Sequence, residues 1–138
     1  MSKIKTVSSR ILVIALTAIT AISMMSVTAF AAGPYPYTYT VTEANTNTIT
    51  QSKNTTSSVK HNFISGLPDM RAAVYAVRSN GTSYNATQTA AKYYNIQPGQ
   101  TQYMYNTVRE DGNSRCFLSM SAYSGWAASC SGQWWPDI

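Results

Sequence analysis

Apolar and polar residues alternate with period two in short runs along most of this chain, and turn residues separate the runs. Tyr35, Tyr37, Tyr39 and Val41 alternate with Pro36, Thr38, Thr40 and Thr42. Successive side chains of a strand point to opposite faces, so this run predicts a half-buried strand, with Pro36 placing its start at an edge. From Glu43 to Ser58 only Ala44 and Ile49 are apolar. An irregular, poorly packed strand pair is expected around Thr46 to Gln51, because so polar a segment buries little. Val59, His61 and Phe63 then share one face of a run that ends at Ile64, and Ser65-Gly66-Leu67-Pro68-Asp69 supplies turn chemistry. Met70 to Arg78 puts Ala73, Tyr75 and Val77 on one face and Ala72, Val74 and Ala76 on the other. Apolar residues on both faces predict the central strand of the domain.

Asn80-Gly81 is a strong hairpin signal, since both residues accept φ > 0, and Ser83 to Thr87 is expected to return antiparallel. Thr87 to Tyr94 has a mixed pattern and is read as strand. Gln97-Pro98-Gly99-Gln100 fits a type II turn, with proline and glycine at its two central positions. Thr101 to Val108 alternates again, setting Tyr103 and Tyr105 opposite Met104, and Arg109 to Asn113 forms a charged turn. The last stretch, Arg115 to Trp135, reads as a β-hairpin turning near Tyr123 to Gly125. Leu118 and Met120 share a face with Cys116, while Trp126, Ala128, Gly132 and Trp134 share that of Cys130. Six to eight short strands with turns between them predict an all-β fold, a small antiparallel β-sandwich.

The first 31 residues have a different character. Lys3, Lys5 and Arg10 precede an apolar run from Ile11 to Ile22, and Ala29-Phe30-Ala31 follows as a small-x-small site. That order is the one of a cleavable secretory signal helix, and the run is shorter than the ~20 residues of a spanning helix. The expected division is therefore a signal peptide over 1–31 and one β-sandwich domain over 32–138, with membrane contact limited to export. The net charge of +5 is largely a property of the signal. Beyond it, Lys53, Lys60, Arg71, Arg78, Lys92, Arg109 and Arg115 are scattered among five acids, so no basic stripe points to nucleic acid. Two cysteines in an exported chain predict one disulfide, Cys116 to Cys130, stabilising by roughly 3 kcal/mol in the chain-entropy model.

Candidate chemistry is sparse. His61 is the single histidine and falls on a strand, and together with two cysteines it is too few donors for a zinc site. Glu110-Asp111-Gly112-Asn113 offers oxygens without the ligand spacing of a calcium loop. No two of the acids Glu43, Asp69, Glu110, Asp111 and Asp137 are placed as a glycosidase pair by their spacing. The expectation is a binding protein without catalysis, metal or cofactor. Ten tyrosines and three tryptophans carry more information, because these rings supply large amphipathic contact surfaces. Trp126 and Trp134 share the cysteine face, so core packing is the first reading for both. Trp135 then points outward and is the first candidate ligand contact, with Tyr123 in the turn and Trp126 as further candidates.

The signal ending Ala29-Phe30-Ala31-Ala32, the tyrosine-rich first strand, the Asn80-Gly81 hairpin and the ending Ser131-Gly132-Gln133-Trp134-Trp135-Pro136-Asp137 together carry a resemblance. The chain resembles small exported proteins of Gram-positive bacteria grouped as a domain of unknown function, some of them found near bacteriocin-type export genes. The cysteine pair departs from that group's general pattern, and the resemblance implies no activity and no catalytic residues. The expected function is a secreted interaction module whose partner is an extracellular glycan or protein. The alternative is a bacteriocin-like antimicrobial or toxin exported against competitors, which the lack of a basic amphipathic segment disfavours.

Overall fold

The computed structural model describes residues 32–123 and 126–138. The signal segment read over residues 1–31, and the centre of the last turn at Ser124 and Gly125, lie outside the described residues. Ten strands follow in order: β1 (Tyr35–Val41), β2 (Thr46–Asn47), β3 (Gln51–Ser52), β4 (Val59–Ser65), β5 (Met70–Val77), β6 (Ser83–Asn85), β7 (Tyr94–Ile96), β8 (Gln100–Met104), β9 (Arg115–Ser121) and β10 (Ala128–Trp135). One antiparallel sheet runs β1-β10-β4-β8. The other runs β2-β9-β5-β6, with β3 also pairing β9 and β7 also pairing β5. The all-β class is as the alternation predicts. The strand count exceeds six to eight because β2, β3, β6 and β7 are ladders of only two or three residues.

The core lies between the sheets and is filled by the faces that alternation assigns inward. Val41, Val59, Phe63, Met104 and Trp134 meet Ala72, Val74, Ala76, Leu118 and Met120 from the opposite sheet, all essentially without solvent exposure. Burying each of the larger side chains contributes about 1.5–3 kcal/mol. β5 is the central strand expected: it pairs with β9 on one side and with β6 and β7 on the other. The Asn80-Gly81 hairpin forms, with Gly81 at φ 85° and Arg78 N–H donating to Thr82 O at 2.8 Å. Gly99 at φ 82° closes the turn before β8, where Gln100 N–H donates to Gln97 O at 3.1 Å.

Gly132 shows how tightly the inner face of the four-stranded sheet is filled. The Tyr37 ring lies across it, and a Cβ there would stand 2.5 Å from the Tyr37 hydroxyl and 2.7 Å from Asn62 O. That placement carries the Tyr37 hydroxyl to His61 Nε2 at 2.7 Å, with the two rings stacked 5.8 Å apart. His61 is wholly buried, and its Nδ1 has no hydrogen-bond partner among the described residues. Burial lowers its pKa to about 4, so the ring is neutral at pH 7.

Several expectations are corrected. Arg115 to Trp135 is not a hairpin: β9 pairs with β5, β2 and β3, whereas β10 pairs with β1 and β4 in the other sheet. Alternation fixes which side chains share a face but not which strand lies alongside. The expected disulfide is absent, and Cys116 and Cys130 are both free, buried thiols. The two cysteines sit in different sheets, Cys116 opposite Ala76 and Cys130 opposite Tyr39, and no hairpin brings them together. β2 and β3 do not pair with each other but lie end to end along β9, as one interrupted edge. Between Thr87 and Tyr93 there is no strand, only an isolated bridge from Thr87 to Asn106, because that stretch has no alternation to sustain a ladder.

Candidate ligand-binding surface

Long strands run between two ends of the sandwich, and the ends differ in chemistry. At one end β3 leads into Lys53, and β10 leads into Pro136 and Asp137. Lys53 is fully buried. Its Nζ donates to Ser57 O at 2.6 Å and Pro136 O at 2.7 Å, and stands 3.5 Å from Asp137 Oδ1. Asp137 in turn accepts from the backbone N–H groups of Asn54 and Thr55 and from the Thr55 hydroxyl, at 2.8 to 3.0 Å. Burial lowers the Lys53 pKa, with Asp137 opposing the shift. Burial alone would raise the Asp137 pKa, but the Asn54 and Thr55 donors and Lys53 together hold it below the ordinary carboxylate range. Every strong group here is matched by a partner inside the fold, and burial pushes the neighbouring Cys116 thiol up to about 12, leaving it unreactive. This cluster is structural.

At the opposite end the chain passes between sheets at Gly66 to Asp69 and again after Ala122, and a cleft opens between the two passages. Asp69 takes φ 59°, stabilised by a hydrogen bond from the Gln97 side chain, and turns Leu67 and Pro68 toward the gap. Ala122 N–H donates to Thr42 O at 2.8 Å and Trp126 N–H to Tyr123 O at 3.1 Å, which fixes the facing wall. The cleft, about 210 Å³, is lined by Leu67, Pro68, Met70, Ala122, Tyr123 and Trp126, with Asp69 at its edge. Trp126 is 60% exposed and Tyr123 41% exposed.

The surface continues over the outer face of the six-stranded sheet. Arg71 follows Met70 and points outward, its guanidinium 4.6 Å from the Tyr123 ring and 4.7 Å from the Tyr93 ring. Such cation–π contacts contribute about 0.5–2 kcal/mol each and tie both rings to the same cation. Beyond Arg71 the floor drops to Ala73 and Ser119, which face each other across β5 and β9. It rises again at Tyr75 and Phe117, stacked at 5.4 Å with planes 16° apart. A second hollow of about 210 Å³ lies over this floor, with Asn45, Asn85 and Lys92 at its rims. On the other side of Arg71, Glu43 and Ala44 border a shallow extension that reaches Tyr123.

Of the predicted contact residues, Tyr123 and Trp126 come together at the cleft. Trp126 precedes β10 and stands in solvent instead of sharing the buried face of Cys130, whereas Trp134 is core at 1% exposure. Trp135 is at the far end, on the outer face of the four-stranded sheet. It is half-buried there, with Lys60 Nζ 4.5 Å over its ring and Gly33 packed close against it. Sequence reasoning missed Arg71, Tyr93 and the Tyr75–Phe117 wall. A lone arginine near the start of an otherwise apolar strand was the available signal for the first. Nothing in the sequence brings Tyr93 beside it, since that contact depends on β7 pairing with β5.

Among the described residues no helix is long and apolar enough to cross a membrane, and no three His, Cys, Asp or Glu side chains converge as a metal site. No curated protein and no solved structure matches the chain. A family model does: that of a protein of unknown function, DUF2712, matches residues 25–138, and the chain belongs to this family.

Proposed function

We propose that this protein is an exported interaction module that binds an extracellular glycan or protein, without catalysis, through the surface around Tyr123 and Trp126. One observation carries the reading. Two of the largest side chains in the domain stand at the rim of an apolar cleft in contact with solvent, while Trp134 is core and Trp135 is half-covered. Exposed aromatic rings beside an apolar hollow are the usual anchors of recognition surfaces. The reactive groups of the chain support binding over chemistry. His61 is sealed in the core, Asp137 is matched by Lys53, and Asp111 accepts from Tyr84 and Thr107.

The test is saturable binding of the purified protein to isolated bacterial cell envelopes, with Trp126→Ala and Tyr123→Ala beside the wild type. Each variant is expected to weaken binding by about tenfold, the equivalent of one aromatic anchor. Equal binding by all three proteins, or dye leakage from liposomes with no envelope binding, would overturn the proposal.

A further inference from the structure

We infer that the hollow on the outer face of the six-stranded sheet is a saccharide subsite. It takes one hexose ring whose substituent, an acetamido carbonyl or a carboxylate, accepts from Arg71. The inference rests on the binding reading above and names the ligand class.

The dimensions come from the register. Arg71 pairs with Ser121, Ala73 with Ser119 and Tyr75 with Phe117 along β5 and β9, so three rows of side chains cross the face. The middle row is small, at 7% and 5% exposure, and Arg71 on one side and Tyr75 and Phe117 on the other are large. Same-face rows repeat every ~6.7 Å on a strand, so Arg71 and Tyr75 stand roughly 13 Å apart at their Cα atoms, leaving room for a single ring between them. The hollow of about 210 Å³ is smaller than the ~300–1,000 Å³ of sites for drug-sized ligands, which also fits one ring.

The walls specify what that ring carries. Tyr75 lines the hollow, its ring backed by the buried Phe117, and offers an aromatic surface suited to the C–H face of a pyranose. Asn45, Ser119 and Ser121 line the hollow, and their side chains make no hydrogen bond among the described residues. Amides and hydroxyls both donate and accept, as vicinal sugar hydroxyls do. Arg71 closes the other side. Its guanidinium lies 4.7 Å from the Tyr93 ring and 4.6 Å from the Tyr123 ring, its N–H groups donate in one plane, and its buried Nε–H has no partner among the described residues. A planar cationic donor favours the carbonyl or carboxylate oxygen of an acetamido or acidic sugar, a stronger acceptor than the hydroxyl oxygens of an unsubstituted one. Lys92 shares the lining, and no carboxylate does.

The test is calorimetric titration of the purified full-length protein with three soluble tetrasaccharides: of N-acetylglucosamine, of galacturonate and of unsubstituted glucose. At least one substituted sugar is expected to bind about tenfold more tightly than the unsubstituted one, as for a hydrogen bond to a charged donor, and the arm that binds names the substituent. Arg71→Lys, which keeps the charge and removes the planar edge, is expected to erase that preference. Ser119→Leu, which fills the floor, is expected to abolish saccharide binding. If Ser119→Leu melts early, Asn45→Ala at the rim replaces it, with a loss of about fivefold. Equal affinity for all three sugars, no saccharide binding, or wild-type binding by both the floor and rim variants overturns the inference. Envelope binding lost in Trp126→Ala but retained in Ser119→Leu overturns the subsite alone and leaves the Trp126 surface standing.

Discussion

At one end of the sandwich Lys53 and Asp137 are withdrawn from solvent and matched to carbonyls, N–H groups and each other. At the other, Tyr123 and Trp126 stand exposed, with the Arg71 guanidinium held against the Tyr123 ring. β4, β5, β9 and β10 all run between these ends, so the contrast is not one of different elements. It lies in what the connecting segments do with their polar groups. A buried charge is tolerable only with a full set of partners, and such a set leaves nothing for a ligand. An exposed ring over an apolar hollow leaves its contact area unused, which costs the fold little and is available to a partner.

The comparison breaks most readily at the sealed end. Lys53→Met strands a buried carboxylate and is expected to destabilise the domain by about 3–5 kcal/mol, read from the urea midpoint. Pairing it with Asp137→Leu should recover most of that loss, and a double variant as unstable as the single would show that the pair is not acting as a unit.

Between the ends, His61 gives the next largest effect. The folded state takes its proton at about 4 instead of 6.5, because burial opposes the charge. The unfolded chain therefore binds more protons between those values, and up to about 3 kcal/mol of stability is lost as pH falls from 6.5 to 4. Asp137 acts in the same direction but lower: its contribution is complete above 3.8 and fades as pH falls further, since its folded carboxyl titrates below the unfolded one. Chemical denaturation at stepped pH separates the two windows, and His61→Phe should lose the upper slope whatever its stability at pH 7.

Gly132→Ala comes third. Its methyl group would overlap the Tyr37 hydroxyl and Asn62 O, and a cost of about 1–3 kcal/mol is expected from this overpacking. At the open end Trp126→Ala should change stability by less than about 0.5 kcal/mol, as for most exposed positions, while weakening envelope binding. A Trp126 variant that melts as early as Gly132→Ala would mean that the ring is structural and the contrast between the ends is false. The smallest expected effect is none: reducing agent should leave the melting temperature unchanged, and alkylation of the unfolded protein without reductant should modify both Cys116 and Cys130.

Much of this was legible along the chain. The period-two runs located β1, β4, β5, β8, β9 and β10 and assigned their buried faces, and the Asn80-Gly81 and Pro98-Gly99 turns fell where their chemistry requires. Local pattern could not choose partners for β9 and β10, and the expected disulfide followed from the same error of pairing. Lys53 sits in a run of Thr, Asn and Ser that reads as exposed, and only the return of Asp137 from the far end of the chain makes its burial possible. Tyr123 and Trp126 were visible as conspicuous residues. Their companion Arg71 was not, because its role depends on rings from two other segments.

The place of β10 has a consequence for the order in which this domain can assemble. β1 has β10 as its sheet neighbour, in register from Tyr35 opposite Trp134 to Val41 opposite Ala128, and β4 flanks β10 on the other side. The first strand of the domain thus waits for the last. A chain delivered from its N-terminus, whether by a ribosome or through a membrane, can begin the six-stranded sheet while its tail is still held. It cannot close the four-stranded one until Ala128–Trp135 is free, so completion of the fold reports that β10 has arrived.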